Sequence, residues 1–371
     1  MTATDTTSGA TFGTFFLPGP TEVHPTVLAA MTRPMMSHRS KAFEAMFARI
    51  QTGLRDVFKT ERPVFVSSSA ATGLMEGAMR CAPEGRVLSV VGGAFGERFA
   101  QIGRQCGREV DEITVPLGRA ADPDDVAARL RDRRYAVVTV VHSESSTGAL
   151  SDVRAVAAAA RAAGATCLID SVTGIGAAEL RADDWDIDFV LTGSQKALAL
   201  PPGLAFGVAS ARYMATAAQA SNRGMYFDLV EFEEFAAKNQ TPNTPALSLL
   251  YALDAQMERM RDEPVEARWA RHAAMAAQTY AWADACAERL GIGILAPAGE
   301  RSPTVSAVTL PDGVTGDAVV RAVAARGLTV GGGYGPLKQR TFRIGHMGDH
   351  TPETIARCLA VCEEAIGELR G

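Results

Sequence analysis

Two stretches, Cys167-Leu168-Ile169-Asp170-Ser171-Val172 and Phe189-Val190-Leu191-Thr192-Gly193-Ser194-Gln195-Lys196, decide how this chain folds. Each opens as a short apolar run and stops in polar or ionisable residues. Runs without polar alternation suit strands covered by helices on both faces, because a strand with one wet face would alternate. The pattern recurs outward at Val64–Val66, Val87–Val91, Ile113–Val115, Ala136–Val141 and Leu204–Ala209. Longer stretches containing Ala, Arg and Glu separate these runs and read as helical crossovers. Asp122–Arg134 and Asp152–Ala163 each begin with an Asp suited to cap a helix. The spacing predicts an α/β fold built on a mostly parallel seven-stranded sheet with helices on both faces.

Beyond Leu253 the character changes to a long Ala/Arg/Glu helical stretch, then short strands near Val305–Leu310 and Thr341–Ile344, and a terminal helix from about Pro352. That is a smaller C-terminal α/β domain. The expected organisation is a flexible start over 1–16, a large domain over 17–255 and a small domain over 256–371; the length of 371 residues suits two domains and has room for three.

With 47% hydrophobic and 21% charged residues the chain can bury a large core, which excludes a disordered or disulfide-held miniprotein. A net charge of −5 disfavours a sequence-independent grip on nucleic acid or an anionic membrane. The cysteines at 81, 106, 167, 286, 358 and 362 form no C-x-x-C pair and have no histidine at zinc-finger spacing, so no metal site is expected. The start lacks the basic and apolar regions of a signal peptide, and a cytoplasmic location is expected.

Four runs end in polar clusters: Ser67 to Gly73, His142 to Gly148, Asp170 to Thr173, and Thr192 to Lys196. In open α/β sheets ligands bind beyond the carboxyl ends of the strands, so these clusters are expected to share one rim. No G-x-G-x-x-G follows the first strand, and neither a P-loop nor a G-x-S-x-G nucleophile elbow is present. A lysine chemistry remains. Lys196 closes a strand-end Gly-Ser-Gln-Lys turn, where desolvation lowers an amine pKa and suits it to form a Schiff base. Asp170 ends an apolar strand, where a carboxylate is costly without a cationic partner; a protonated pyridine nitrogen is one such partner.

From about Leu17 to Gly367 the chain resembles the class V aminotransferases of pyridoxal-phosphate fold-type I, in the alanine/serine:glyoxylate branch. The resemblance rests on Leu17-Pro18-Gly19-Pro20-Thr21, Ser37-His38-Arg39-Ser40, the Ser/Ala/Thr loop with Glu76, Glu144-Ser145-Ser146-Thr147-Gly148, Asp170-Ser171-Val172, Gly193 to Leu198, Thr241-Pro242-Asn243-Thr244-Pro245 and Phe342-Arg343-Ile344-Gly345. It implies that Lys196 carries pyridoxal 5'-phosphate and moves the substrate proton, and that Asp170 keeps the pyridine nitrogen protonated. Phe95 would stack on one ring face and Val172 on the other. The phosphate would sit on Ala70, Ala71 and Thr72 at a helix start, helped by Gln195. Ser145 would bond the phenolic oxygen. Relatives often have Gly-Ser-Gly where this chain has Ser69-Ala70-Ala71, which shifts more of the phosphate to Thr72 or Gln195.

The resemblance further implies a homodimer with shared active sites, in which Asn243 and Thr244 complete the partner's phosphate cup. Gly19 and Arg343 would bind substrate, Arg343 by holding the α-carboxylate through two parallel hydrogen bonds. Gly331-Gly332-Gly333-Tyr334-Gly335 reads equally as a lid or a plain surface loop. No second arginine is motif-placed for a side-chain carboxylate, so alanine, serine or glycine is the expected donor, with glyoxylate or pyruvate accepting; His38 and Arg39 are further pocket candidates. The alternatives are a phosphonate or phosphoserine aminotransferase, a sulfur lyase or cysteine desulfurase, and a catalytically silent scaffold.

Overall fold

The computed structural model describes residues 12–371. Its strands are β1 (Phe15–Phe16), β2 (Phe65–Ser67), β3 (Val87–Val91), β4 (Val110–Thr114), β5 (Val137–Val141), the short hairpin β6 (Ser143–Glu144) and β7 (Ala149–Leu150), β8 (Thr166–Asp170), β9 (Phe189–Gly193), β10 (Ala205–Ala209), β11 (Gly293–Ile294), β12 (Val305–Thr309), β13 (Thr329–Gly332) and β14 (Thr341–Gly345). The large sheet has seven strands in the order β2-β10-β9-β8-β5-β3-β4. All are parallel except β10, which runs against both its neighbours. Because β2 and β9 both oppose β10, they point the same way as β5 and β8, and the four polar strand ends share a rim.

Burial explains the strand pattern. Every residue of β5, β8 and β9 is buried, whereas the edge strand β4 is half-buried with Thr114 exposed. Asp122 and Asp152 cap the helices Pro123–Asp132 and Val153–Ala162 as expected. The helix Lys41–Phe58 buries Phe43, Met46, Phe47, Ile50, Leu54, Val57 and Phe58, an apolar stripe at helical spacing that seats it on the large core. Each such side chain contributes roughly 1.5–3 kcal/mol by leaving water.

The second sheet runs β1-β13-β14-β12-β11, and the helices Val265–Leu290 and Pro352–Arg370 cover it. Two expectations need correction. The flexible start was to extend through residue 16, but Phe15 and Phe16 pair with Thr329 and Val330, and the fully buried Phe16 ring anchors this edge. Residues 1–11 lie outside the described residues. The division at 255/256 falls within the helix Leu247–Arg261, whose Met257 and Met260 still pack in the large core. We therefore propose that the two units divide near Asp262–Pro264. The glycine run also differs from a plain loop, since Gly331 and Gly332 belong to β13 and pair with Arg343 and Phe342. No helix among the described residues is long and apolar enough to cross a membrane.

Candidate active site

Strand register assembles the rim. Ala205 of β10 pairs with Ser67 on one side and Gly193 on the other, placing the Ser67–Thr72 loop on the same rung as the turn that carries Lys196. On the other side of β9, Asp170 pairs with Leu191 and with Val141, just before the His142–Gly148 segment.

The sequence has five lysines, at 41, 59, 196, 238 and 338, and only Lys196 is buried. Its turn is pinned from both sides. The Ser194 hydroxyl donates to the Pro201 carbonyl at 2.7 Å, and the Thr21 hydroxyl donates to the Lys196 carbonyl at 2.9 Å. The N-terminal segment thus crosses directly over the lysine, whose Nζ donates to the Pro18 carbonyl. Gly19 is required at this crossing: its φ is +111°, and a Cβ there would collide with the end of the Lys196 side chain.

Burial lowers the Lys196 amine to about 8, and the nearby Arg343 charge pushes in the same direction. Burial raises the Asp170 carboxyl to about 7; the Val172 N–H, donating to Oδ1 at 2.8 Å, moderates the rise while the Glu144 charge adds to it. Asp170 is 2% exposed and forms no ion pair among the described residues. A buried carboxylate in that condition calls for a cation, which a protonated pyridine nitrogen supplies. His142, whose backbone N–H donates to the Asp170 carbonyl at 2.8 Å, is held neutral by burial, its pKa lowered to about 4, with Nδ1 2.9 Å from the Ser171 hydroxyl.

The residues expected to take a phosphate have the chemistry for an anion. Ala70 begins the helix Ala71–Cys81 without any side-chain cap, leaving the first N–H groups and the helix dipole free for a ligand. Gln195 reaches this place, since a Cβ on Gly193 would lie 2.8 Å from Gln195 Oε1 and 3.5 Å from the Ala71 methyl. Ser145 is buried, and its hydroxyl has no hydrogen-bond partner among the described residues. An uncapped helix start, an unpaired carboxylate, a free hydroxyl and a buried amine together match the phosphate, ring nitrogen, phenolic oxygen and aldehyde of pyridoxal 5'-phosphate. Glu76, by contrast, bonds Arg80 one helical turn on, at 2.8 Å.

Arg343 projects from β14 toward the same place. Nε donates to the Gly332 carbonyl at 2.8 Å and Nη1 to the Ser145 carbonyl at 2.9 Å, while burial lowers its pKa. Tyr334 joins it to Phe95: the Arg343 guanidinium carbon lies 5.5 Å from the Tyr334 ring centre, and the Tyr334 and Phe95 centres are 6.1 Å apart. Arg98 completes the row with its guanidinium carbon 4.9 Å from the Phe95 ring centre. Sequence reading had not singled out Arg98 or Tyr334. Arg98 was findable, because a residue three after Phe95 shares its helix face; Tyr334 was the single aromatic of the glycine run.

Asn243 and Thr244 line a cleft with Ser67, Ser68 and Tyr226. Arg39 braces this turn, donating to the Thr241 carbonyl at 2.8 Å and the Pro242 carbonyl at 3.1 Å. Arg39 therefore supports the turn that carries Asn243 and Thr244. None of the six cysteines is disulfide-bonded; burial raises the thiol pKa of Cys81 (to about 11), Cys106, Cys167 and Cys286, and a hydrogen bond with Cys362, followed by burial, raises that of Cys358. A sulfur-lyase nucleophile needs the opposite shift.

Residues 19–338 match the model of the family described as aminotransferase class-V. The chain is 32% identical to an L-aspartate–glyoxylate aminotransferase of Paracoccus denitrificans, over 95% of this chain and 91% of that protein. It is 30% identical to a serine–glyoxylate aminotransferase of Methylorubrum extorquens, over 95% and 90%. Among solved structures, an aspartate aminotransferase of subgroup IV from Thermus thermophilus superposes with a TM-score of 0.87 at 33% identity, covering 96% of this chain and 99% of that one. The protein therefore belongs to the class V aminotransferase family and is an aminotransferase that works with pyridoxal 5'-phosphate.

Proposed function

We propose that the protein moves the amino group of a small α-amino acid, of the alanine, serine or glycine type, to an α-keto acid such as glyoxylate or pyruvate, as a cytoplasmic homodimer. The observation that carries this reading is the placement of one half-buried guanidinium, Arg343, held on the Gly332 and Ser145 carbonyls and near enough for its charge to help lower the Lys196 amine. A carboxylate held on Arg343 places the donor's Cα beside that amine. Bound pyridoxal 5'-phosphate supplies an electron sink for the pair left behind when the Cα proton departs.

The chain's own residues do the rest. Lys196 holds the cofactor through Nζ and, once freed, carries the proton away from Cα, a role suited to an amine lowered to about 8. Asp170 presents a negative charge to the ring nitrogen and keeps it protonated. Phe95 and Val172 hold the ring between them, and Ser145 bonds the phenolic oxygen. Ala70, Ala71, Thr72 and Gln195 receive the phosphate, with Asn243 and Thr244 reaching it from the second subunit. Gly19 leaves the donor room over the lysine.

A second reading, aspartate as donor, is favoured by Arg98. This guanidinium has no hydrogen bond or ion pair among the described residues, yet its charge reaches both Lys196 and Asp170. Two relatives named above carry aspartate in their names. The experiment is a panel of amino acids added to the loaded protein while the cofactor's visible absorption is followed. Loss of the band with alanine, serine or glycine supports the first reading; loss with aspartate alone replaces it by the second.

A further inference from the structure

We propose that Glu144 is the positioning residue that sets the cofactor-ring shelf and the substrate arginine together; this rests on the roles given above to Phe95 and Arg343. The helix Ala94–Gln105 starts at Gly93, which offers no side chain to cap it. Glu144, 49 residues beyond Phe95 in the chain, fills that role. One carboxylate oxygen, Oε2, accepts from the N–H groups of Phe95 at 3.1 Å and Gly96 at 3.2 Å. The other, Oε1, accepts from the Ser146 N–H at 3.1 Å and from the Ser146 hydroxyl. The Ser146 oxygen in turn accepts from the Ala94 N–H at 3.1 Å. Between these two residues, Ser145 offers its carbonyl to Arg343 Nη1 at 2.9 Å. The segment Glu144–Ser146 therefore clamps the first turn beneath Phe95 on one side and receives the substrate arginine on the other.

The chemistry explains why the residue is a carboxylate. Each of its two oxygens faces donors, so both must accept. An amide has one acceptor oxygen and an NH2 group, and in either orientation the NH2 would face N–H or O–H donors. A negative charge also suits a helix start, where the dipole is positive, and charge-assisted bonds of this kind are about twice as strong as neutral ones. The approach is close: a Cβ on Gly93 would lie 2.6 Å from the Glu144 carboxyl carbon. Glu144 is 4% exposed, so water cannot replace a lost bond at little cost.

The test compares Glu144→Gln with wild type in two measurements. In cofactor-free protein, hydrogen–deuterium exchange should quicken at least about tenfold at the amides of 94–96 and 146, while the helix Lys41–Phe58 is unchanged. In loaded protein, KM for the amino donors should rise at least about fivefold and the circular dichroism of the bound cofactor should change. A residue that only stabilises the fold would lower Tm and leave KM and the cofactor signal alone. Unchanged exchange overturns the proposal, and so does faster exchange with an unchanged donor KM. Glu144→Asp, which keeps the charge one methylene shorter, should give smaller changes in the same direction and replaces the Gln variant if that one does not fold. Phe95→Ala and Arg343→Ala separate the two levels: if neither alters donor KM or the cofactor signal, the assigned site is wrong, whatever exchange reports for Glu144.

Discussion

Replacing Asp170 by Asn should stabilise the empty protein and disable the loaded one. In the cofactor-free fold burial raises this carboxyl from its ordinary value of 3.8 to about 7. An acid whose folded pKa is raised binds more protons in the fold than in the unfolded chain between those two values, so its contribution to stability falls as pH rises from about 4 to about 7. A shift of about 3 units corresponds to about 4 kcal/mol of cost once pH exceeds 7. Asn keeps the shape and can still accept from the Val172 N–H, but it has no charge to desolvate. With unfolding entropy of about 2.1 cal/mol/K per residue, 4 kcal/mol across this chain is a rise in Tm of about 5 °C at pH 8, shrinking to about 2 °C at pH 5. Scanning calorimetry of both cofactor-free proteins measures it. With cofactor bound the sign reverses if Asp170 has the proposed role of keeping the ring nitrogen protonated; turnover should fall at least about a hundredfold, or about 2.7 kcal/mol by the rate rule of about 1.36 kcal/mol per decade. A variant with Tm equal to or below wild type at both pH values, or with near-normal turnover, would refute the reasoning.

An amine reacts with an aldehyde only when unprotonated, so the rate at which cofactor-free protein takes up pyridoxal 5'-phosphate should rise with pH through a midpoint near 8, the value for Lys196; stopped-flow absorbance locates the midpoint, and one near 10 would mean an ordinary solvated lysine. Because the Arg343 charge helps to depress that amine, Arg343→Ala should move the midpoint upward and also raise KM for several α-amino acids alike while cofactor loading persists; an unchanged KM across the panel returns Arg343 to a structural role. If Asn243 and Thr244 serve the neighbouring subunit, mixing Lys196→Ala chains with chains disabled at both positions should restore up to about half the activity per heterodimer, since one site then has both contributions intact. Proven subunit exchange without recovery would place both elements in one chain's site.

Much of this architecture is legible in the sequence because a strand buried on both faces leaves an apolar run that polar residues end abruptly. Val87–Val91 and Phe189–Leu191 were found on that basis, and so was the rim that unites Asp170 with Lys196. The strands that were not foreseen have a different origin. Phe15–Phe16, Gly293–Ile294 and Ser143–Glu144 are two-residue pairings fixed by tertiary contact, too short to leave a period. The strand Thr329–Gly332 was hidden because its glycines carry no apolar signal, yet Gly331 pairs with Arg343 and so fixes the level of the proposed substrate arginine. The boundary near 255 was misjudged because the helix Leu247–Arg261 has Arg and Glu on its wet side, like the helix after it, while Met257 and Met260 bind it to the first core. Glu144 lay in plain view within a motif, but its partners at 95 and 96 are far along the chain, and only the fold brings them together.

The central claim is that Lys196 is the lysine that carries the cofactor. Borohydride reduction of the loaded protein followed by peptide mass spectrometry tests it most directly, because reduction makes the link to the lysine permanent. The other lysines at 41, 59, 238 and 338 are not buried and serve as internal controls. The account predicts a single pyridoxyl group on the peptide containing Gly193-Ser194-Gln195-Lys196. A pyridoxyl group on any other lysine, with Lys196 unmodified, would contradict it.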